Sequence, residues 1–227
     1  MKKHFTCSLF FALALTFLGG FLDIVSLKFF GLFTAMQTGN TITLFLSLID
    51  GDYMEALYRS ISLISFIVFS FLGELIRINY KNKAFPYPYL ALSLMAIGLS
   101  LTIGLSFIPD ESWRIAACSI SLAFCGATQV LAFESFNEHT FVSTMMTALL
   151  KNMSLSLAKS VTNKEKDQWL TTLEYALVFL CFVVGITVGY LLISFVSALP
   201  LYVYLLIALA VVIFLLFPLK HQELKKN

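Results

Sequence analysis

Charged residues are scarce in this sequence. Only 12% of its 227 residues are Asp, Glu, Lys or Arg, whereas soluble domains carry about 25%. Hydrophobic residues make up 59%, and apolar runs of roughly 20 residues recur, each long enough to cross about 30 Å of hydrocarbon. We therefore expect a single polytopic domain over residues 1–227 that lies in a lipid bilayer and leaves little chain for a soluble domain.

Other scarcities restrict the function. The formal net charge of +2 provides no basic surface for a nucleic acid. The 4 cysteines lie in apolar segments without a CxxC spacing and the 3 histidines are scattered, so we expect neither disulfides nor a metal site. No HExxH, GxSxG or nucleotide-binding loop occurs. Catalytic residues and cofactors are therefore not expected, and an enzyme is the least favoured class.

Six strongly apolar segments are expected to cross the membrane as helices. Two further segments, 33–49 and 141–158, are weaker. The first contains a block of polar residues, and the second contains Lys151, whose placement at the centre of a span costs about 2.5–3.5 kcal/mol. We expect both weak segments to enter the membrane only partly. The strong segments are 6–28, 58–77, 87–108, 113–133, 169–194 and 199–218.

The distribution of lysine and arginine predicts the orientation. If neither weak segment crosses, only Lys28, Arg59 and Arg114 among the 15 basic residues lie on the outer side. The short basic loop 77–83 then faces inward and the acidic turn at 110–111 faces outward. The positive-inside rule favours this arrangement, which places both termini in the cytoplasm.

The two halves of the chain resemble each other. Gly20 and Asp23 align with Gly126 and Gln129 at one common offset. After an insertion of a few residues in the second half, Thr38 aligns with Thr147.

Each half, about 6–108 and about 113–218, contains three strong segments and one weak segment. Because three crossings are an odd number, the second copy must be inverted relative to the first. The predicted fold is an all-α membrane protein with about six transmembrane helices and two partial or re-entrant segments, arranged as a two-fold inverted internal repeat.

A block of polar residues interrupts the first weak segment. Gln37, Thr38 and Asn40 offer hydrogen-bond donors and acceptors, and Gly39 permits a close approach. Irregular backbone at membrane depth must line a cavity or be buried in protein, so a solute site and a packing surface are both open interpretations. The hypothetical binding or coupling residues are Asp23, Gln37, Thr38, Gly39, Asn40, Gln129 and Thr147.

Asp23 is the ionisable residue most favoured for function. A carboxyl group within an apolar stretch is a functional candidate by default, and one that exchanges a proton would suit a proton-coupled mechanism. The structural alternatives are a pair with Lys28 or a hydrogen bond to the segment 38–40. Glycines at helix interfaces permit close packing, and we assign that role to Gly20, Gly126, Gly185 and Gly189.

These residues also carry a family resemblance. Gly20 and Asp23, followed by Thr38, Gly39 and Asn40, resemble the hallmark of the YoaK family, bacterial integral membrane proteins of unknown function. In the second half, Gly126, Gln129, Ser143, Thr144 and Thr147 resemble the corresponding patch, although Ala148 stands where the family commonly has Gly. The resemblance implies a multi-pass protein of the bacterial cytoplasmic, or inner, membrane and supplies no activity.

The leading functional hypothesis is a small-solute transporter or channel with a polar site near the membrane midplane. The solute is unidentified, and proton coupling is compatible with Asp23. The alternative is a membrane scaffold or sensor that transports nothing. A homo-oligomer is compatible with either.

Overall fold

The computed structural model describes residues 9–80, 87–132, 135–136, 139–140, 146–163, 166–196 and 200–224. Within these residues the chain forms eight helices and one short antiparallel β-hairpin. The elements are α1 (Leu9–Phe30), α2 (Gln37–Asp50), α3 (Tyr53–Tyr80), α4 (Tyr87–Leu105), α5 (Glu111–Ala132), β1 (Ser135–Phe136), β2 (His139–Thr140), α6 (Met146–Asn163), α7 (Lys166–Phe195) and α8 (Leu201–Leu224).

Six of the helices correspond to the six strongly apolar segments. The helices α1, α3, α5 and α7 are long and apolar enough to cross a membrane, and α4 and α8 contain shorter apolar stretches. The all-α membrane class predicted from composition is therefore confirmed. Helix α1 is central, because 67% of its most apolar stretch is buried inside the protein. Only 6% of the corresponding stretch of α3 is buried, and large side chains such as Ile64 and Phe71 are exposed on its surface. Such a surface is suited to contact with lipid.

Helix α3 begins five residues earlier than the sequence predicted. Gly51 adopts a left-handed conformation with φ of 80°, which ends α2, and Asp52 accepts a hydrogen bond from the N–H group of Glu55 at the start of α3. This capping chemistry extends the helix into a polar first turn. Apolar content alone could not detect that turn.

The core is built around α1. One buried cluster joins α1 to α4, α5 and α8 and includes Phe11, Leu22, Met95 and Tyr204. A second, smaller cluster joins α1 to α6 and α7. Helix α1 is therefore covered by helices from both halves of the chain.

Close backbone packing joins α1 to α7. A Cβ atom added at Gly20 would collide with the carbonyl oxygen of Phe182, and one added at Gly185 would collide with that of Phe17. At Gly189 it would lie 2.5 Å from the side chain of Ile24. Small residues let membrane helices approach at backbone distance, and these positions have no space for a larger side chain.

The chain reverses direction after α1. Gly31, the first residue after the helix, has φ of 69°. The N–H group of Thr34 then bonds to the carboxyl group of Asp23. Asp23 lies seven residues, or about 10 Å, before the end of α1. Helix α2 then starts part of the way along α1 and returns antiparallel to α3, with Asn40 contacting Ser62. At 14 residues α2 is about 21 Å long, too short to cross the hydrocarbon core.

Candidate functional site

A cavity of about 680 Å³ lies where the N-terminal ends of α2 and α6 meet. Phe66 of α3 and Val130 of α5 complete its wall, together with other apolar side chains. These apolar groups would suit the non-polar part of a solute, and a few polar groups remain to orient it. The α2 end contributes Ala35, Met36, Gln37, Thr38, Gly39 and Ile42, and the α6 end contributes Met146, Thr147, Ala148 and Lys151.

The first turn of α2 lies at this cavity, and the N–H group of its first residue, Gln37, bonds to the carbonyl of Ala35 at 2.9 Å. Met36, the residue before the helix, forms no side-chain capping bond, and Asn40 is the first residue whose N–H group bonds back in helical fashion, to the carbonyl of Met36 at 3.3 Å. The first N–H groups of any helix lack intrahelical acceptors and carry a partial positive charge. Thr38 and Gly39, which belong to this first turn, are among the residues that line the cavity.

Lys151 adds a full positive charge to the same cavity. It lies in the second turn of α6, and no described Asp or Glu forms an ion pair with it. Among the residues that the structure describes, no Asp or Glu lines the cavity. The cavity is therefore electropositive and can hold a negatively charged or acceptor-rich group.

Four of the residues predicted for the site line the cavity: Gln37, Thr38, Gly39 and Thr147. The side chain of Gln37 also donates to the carbonyl of Thr34 at 3.4 Å. Thr38 and Thr147 are both exposed, so their hydroxyl groups are accessible. The threonines that align between the two halves of the chain thus meet at one place.

Asn40 lies behind the cavity and is buried. Its side-chain amide pairs with both backbone groups of Phe33 and also donates to the side chain of Gln37 at 3.1 Å. The ring of Phe33 occupies the space beside Gly39, where an added Cβ atom would lie 2.7 Å from it. These contacts hold the returning segment, residues 31–36 between α1 and α2, against the first turn of α2.

Asp23 is also buried behind the wall, with only 2% of its surface exposed. Its Oδ1 atom accepts hydrogen bonds from the N–H groups of Thr34 at 2.8 Å and Ala35 at 3.1 Å. No described group hydrogen-bonds to its Oδ2 atom. Lys28 does not pair with it but lies over the ring of Tyr190, 5.1 Å from the ring centroid.

Gln129 occupies a different position from the cavity residues. It is buried on α5 and donates to the carbonyl of Leu15 on α1 at 2.9 Å. Leu15 lies eight residues from Asp23 along α1, or about 12 Å. Gln129 therefore connects α5 to α1, while its neighbour Val130 lines the cavity.

Gly126, assigned to helix packing, lies against the returning segment. A Cβ atom added there would collide with the carbonyl oxygen of Thr34. The glycine of the second half therefore lets α5 approach the segment that Asp23 holds. Within the described residues, no three His, Cys, Asp or Glu side chains cluster to hold a metal ion.

Sequence reasoning missed the role of Arg59, which it counted only as an outer charge. This buried side chain donates to the carbonyl of Gly31 at 2.8 Å, to the hydroxyl of Thr43 at 2.5 Å and to Glu55 at 2.6 Å. The spacing of Glu55 and Arg59 on one helix face predicts their pairing. The contacts with Gly31 and Thr43 depend on the chain reversal and leave no local pattern.

The apolar helices and the buried polar segment between them define the class of this molecule as an all-α, multi-pass membrane protein. Residues 11–215 match the family model described as a protein of unknown function, DUF1275, and the chain belongs to that family. No curated protein and no solved structure matches the chain.

Proposed function

We propose that the protein is a transporter or channel for a small solute, that the solute binds in the cavity between α2 and α6, and that it carries an anionic group. The proposal depends on one observation, the meeting of two helix N-termini and Lys151 at a cavity whose described lining contains no Asp or Glu. We propose no enzymatic activity.

The electrostatic argument for an anion is direct. Each helix N-terminus is equivalent to about half a positive elementary charge, and the charge on Lys151 adds to both. Helix N-termini bind phosphate and carboxylate groups in many proteins because their N–H groups point at the ligand. A cationic solute would meet only repulsion from these groups.

The packing of the helices supports the inverted repeat. In the proposed repeat, α1, α2 and α3 correspond to α5, α6 and α7. The contact between α1 and α7 then corresponds to the contact between α5 and α3, and the contact between α2 and α3 corresponds to that between α6 and α7. Exchanging the halves therefore leaves the pattern unchanged. Gly73 of α3 and Gly185 of α7 each lie past the midpoint of helices that correspond in the proposed repeat. At both positions a Cβ atom would collide with the opposite half, at Leu131 and Phe17.

The chain reversal supports a site at the level of the membrane interior. The segment 31–36 descends about 10 Å from the end of α1 before α2 turns back, so the start of α2 would lie well inside the hydrocarbon layer. Broken segments of this kind form the substrate sites of many transporters with inverted repeats.

The charge distribution supports a location in the bacterial cytoplasmic membrane with both termini in the cytoplasm. The resemblance to the YoaK family agrees with that location. In this orientation α2 returns to the outer side and α6 to the inner side, so the cavity would lie between two half-helices that enter from opposite faces.

A scaffold or sensor is the second candidate. The observation that favours it is the engagement of Asn40 and Gln129 in internal hydrogen bonds, as expected for residues that only fix the packing. In that case the cavity would bind a ligand or nothing, and no solute would cross.

A screen of ligands against the purified protein tests the proposed function. Thermal unfolding in detergent should be shifted upward by one or more carboxylates, phosphates or sulfates, and not by their neutral amide or alcohol analogues. The active compound should then enter liposomes that contain the protein. Stabilisation by neutral analogues to the same extent would contradict the anionic assignment, and binding without entry would favour the sensor.

A further inference from the structure

We propose that Asp23, Ser26 and Thr34 form a binding site for a small monovalent cation, Na⁺ or H⁺, directly behind the solute cavity. The inference deepens the proposed function and rests on it for its biological meaning, since it supplies the coupling ion. The binding itself is independent of any solute.

The first argument is a buried carboxyl group without a counter-charge. Oδ1 of Asp23 has two backbone donors, whereas Oδ2 has no hydrogen-bond partner among the described residues. Lys28 lies over Tyr190, and Arg59 bonds to the carbonyl of Gly31 and to Glu55. A buried carboxylate requires a paired charge or a proton, and the described part of the chain supplies neither at Oδ2.

The second argument is the set of oxygen atoms around Asp23. The Ser26 hydroxyl lies 3.1 Å from the carbonyl oxygen of Asp23, and the Thr34 hydroxyl lies 3.0 Å from that of Ser26 and 3.3 Å from the carbonyl oxygen of Leu22. Ser26 and Thr34 are buried. Hard cations select carboxylate, hydroxyl and carbonyl oxygens, and transporters bind Na⁺ with such groups where a helix is interrupted.

The single negative charge of Asp23 indicates that the bound cation is monovalent. Divalent cations are held by several carboxylates, whereas Asp23 is the only carboxylate in this cluster of described residues. Among the described residues, Asp23 is also the only Asp or Glu that is buried. The described titratable groups that the packed helices contribute here are Cys125 of α5 and Tyr204 of α8, which lie in the buried cluster around α1, and Tyr190 of α7, which lies beside Lys28. A monovalent ion therefore balances the site.

The position of the site explains how it would couple to the solute. Oδ1 of Asp23 holds the N–H groups of Thr34 and Ala35, and Ala35 begins the stretch of chain that lines the cavity. Binding of a cation at Oδ2 neutralises the carboxylate and weakens its hold on those two N–H groups. The cavity wall then responds to the cation, and an anionic solute and the cation would cross together.

Cation binding is tested on purified full-length protein in detergent, with no solute added. In the sodium arm, thermal unfolding and binding of radioactive Na⁺ are measured while NaCl replaces choline chloride at constant pH and ionic strength. In the proton arm, unfolding is measured across a pH series in choline chloride. We expect either NaCl or a lower pH to stabilise the wild-type protein against unfolding.

The variants identify the site. Asp23→Asn keeps an acceptor for Thr34 and Ala35, so it should fold but lose the stabilisation. Glu74→Gln changes a carboxylate that pairs with Arg77 elsewhere and should retain it. Ser26→Ala and Thr34→Val should weaken Na⁺ binding about tenfold or more and leave a proton effect unchanged. If Asp23→Asn does not fold, the wild type together with Ser26→Ala decides the sodium arm, and the pH series repeated with Asp23→Ser, which also keeps an acceptor oxygen, decides the proton arm.

Two results overturn the inference. One is a wild-type protein that responds to neither ion, and the other is a response that Asp23→Asn retains in full. Solute entry at the wild-type rate in Asp23→Asn would contradict the coupling of the cation to the solute while leaving the solute cavity intact. Cation binding that depends on Asp23, without entry of any solute, would support the site and contradict transport.

Discussion

The side-chain amide of Asn40 forms hydrogen bonds with both backbone groups of Phe33, its N–H and its C=O. Its Nδ2 atom donates to the Phe33 carbonyl at 2.8 Å, and its Oδ1 atom accepts from the Phe33 N–H group at 2.8 Å. The N–H and C=O groups of Phe33, which lies outside any helix, are thereby both satisfied. This pair fixes the segment between α1 and α2, and with it the wall of the cavity.

Asn40→Ala should therefore destabilise the protein by roughly 2–6 kcal/mol, because two backbone groups are left unpaired and each such loss costs about 1–3 kcal/mol. Unfolding of the purified protein in micelles measures the change. Asn79→Ala is the matched control, since the exposed Asn79 bonds only to its own helix. Equal effects of the two substitutions would contradict the role of Asn40.

Gly20→Ala should destabilise the contact between α1 and α7 by about 1–3 kcal/mol, because the new Cβ atom meets the carbonyl of Phe182 and forces the helices apart. Gly104→Ala, on α4, is the control. Nothing lies within 4 Å of its Cβ position, so this substitution should be neutral or stabilise by about 0.5–1 kcal/mol. A stable Gly20→Ala protein would show that the helices separate at little cost.

Arg59→Gln should cost about 2–3 kcal/mol, because Arg59 is buried and its charge-assisted bonds join Gly31, Thr43 and Glu55. Arg77→Gln should cost about 0–1 kcal/mol, since both partners of its ion pair with Glu74 are partly exposed. Thermal unfolding of the two variants side by side measures the difference. Similar losses would mean that Arg59 contributes no more than a surface pair.

The orientation can be tested by labelling. After the native cysteines are replaced by alanine, a cysteine at position 52 should react with an impermeant reagent added outside intact cells. A cysteine at position 81, which lies outside the described residues, should react only after the membrane is opened. Labelling of position 81 in intact cells would reverse the proposed topology.

Much of the architecture could be predicted because it depends on local composition. Apolar length identifies the helices that can cross a membrane, and the polar block at residues 37–43 marks the interrupted segment between α1 and α3. The hydrogen bond between Asp23 and the backbone of Thr34 could be predicted only in part. The sequence predicts a nearby polar partner for Asp23, but the bond goes to backbone N–H groups, which carry no sequence pattern.

The candidate site was less accessible to sequence reasoning. Lys151 was weighed only as a cost of crossing the membrane, because its usefulness depends on the end of α2, which lies more than a hundred residues away in the chain. Gln129 aligns with Asp23 but bonds to Leu15, since α5 packs on a different part of α1 than the returning segment does. Both outcomes depend on which helices become neighbours.

The most direct test of the proposed function is uptake of the anionic solute identified by the ligand screen into liposomes that contain wild-type, Lys151→Gln or Lys159→Gln protein. Lys159 is exposed on the same helix and does not line the cavity. We predict that Lys151→Gln raises the half-saturating solute concentration about tenfold or more, as expected when a charged contact is lost. Lys159→Gln should match the wild type. Equal uptake by all three proteins would contradict an anion site between α2 and α6.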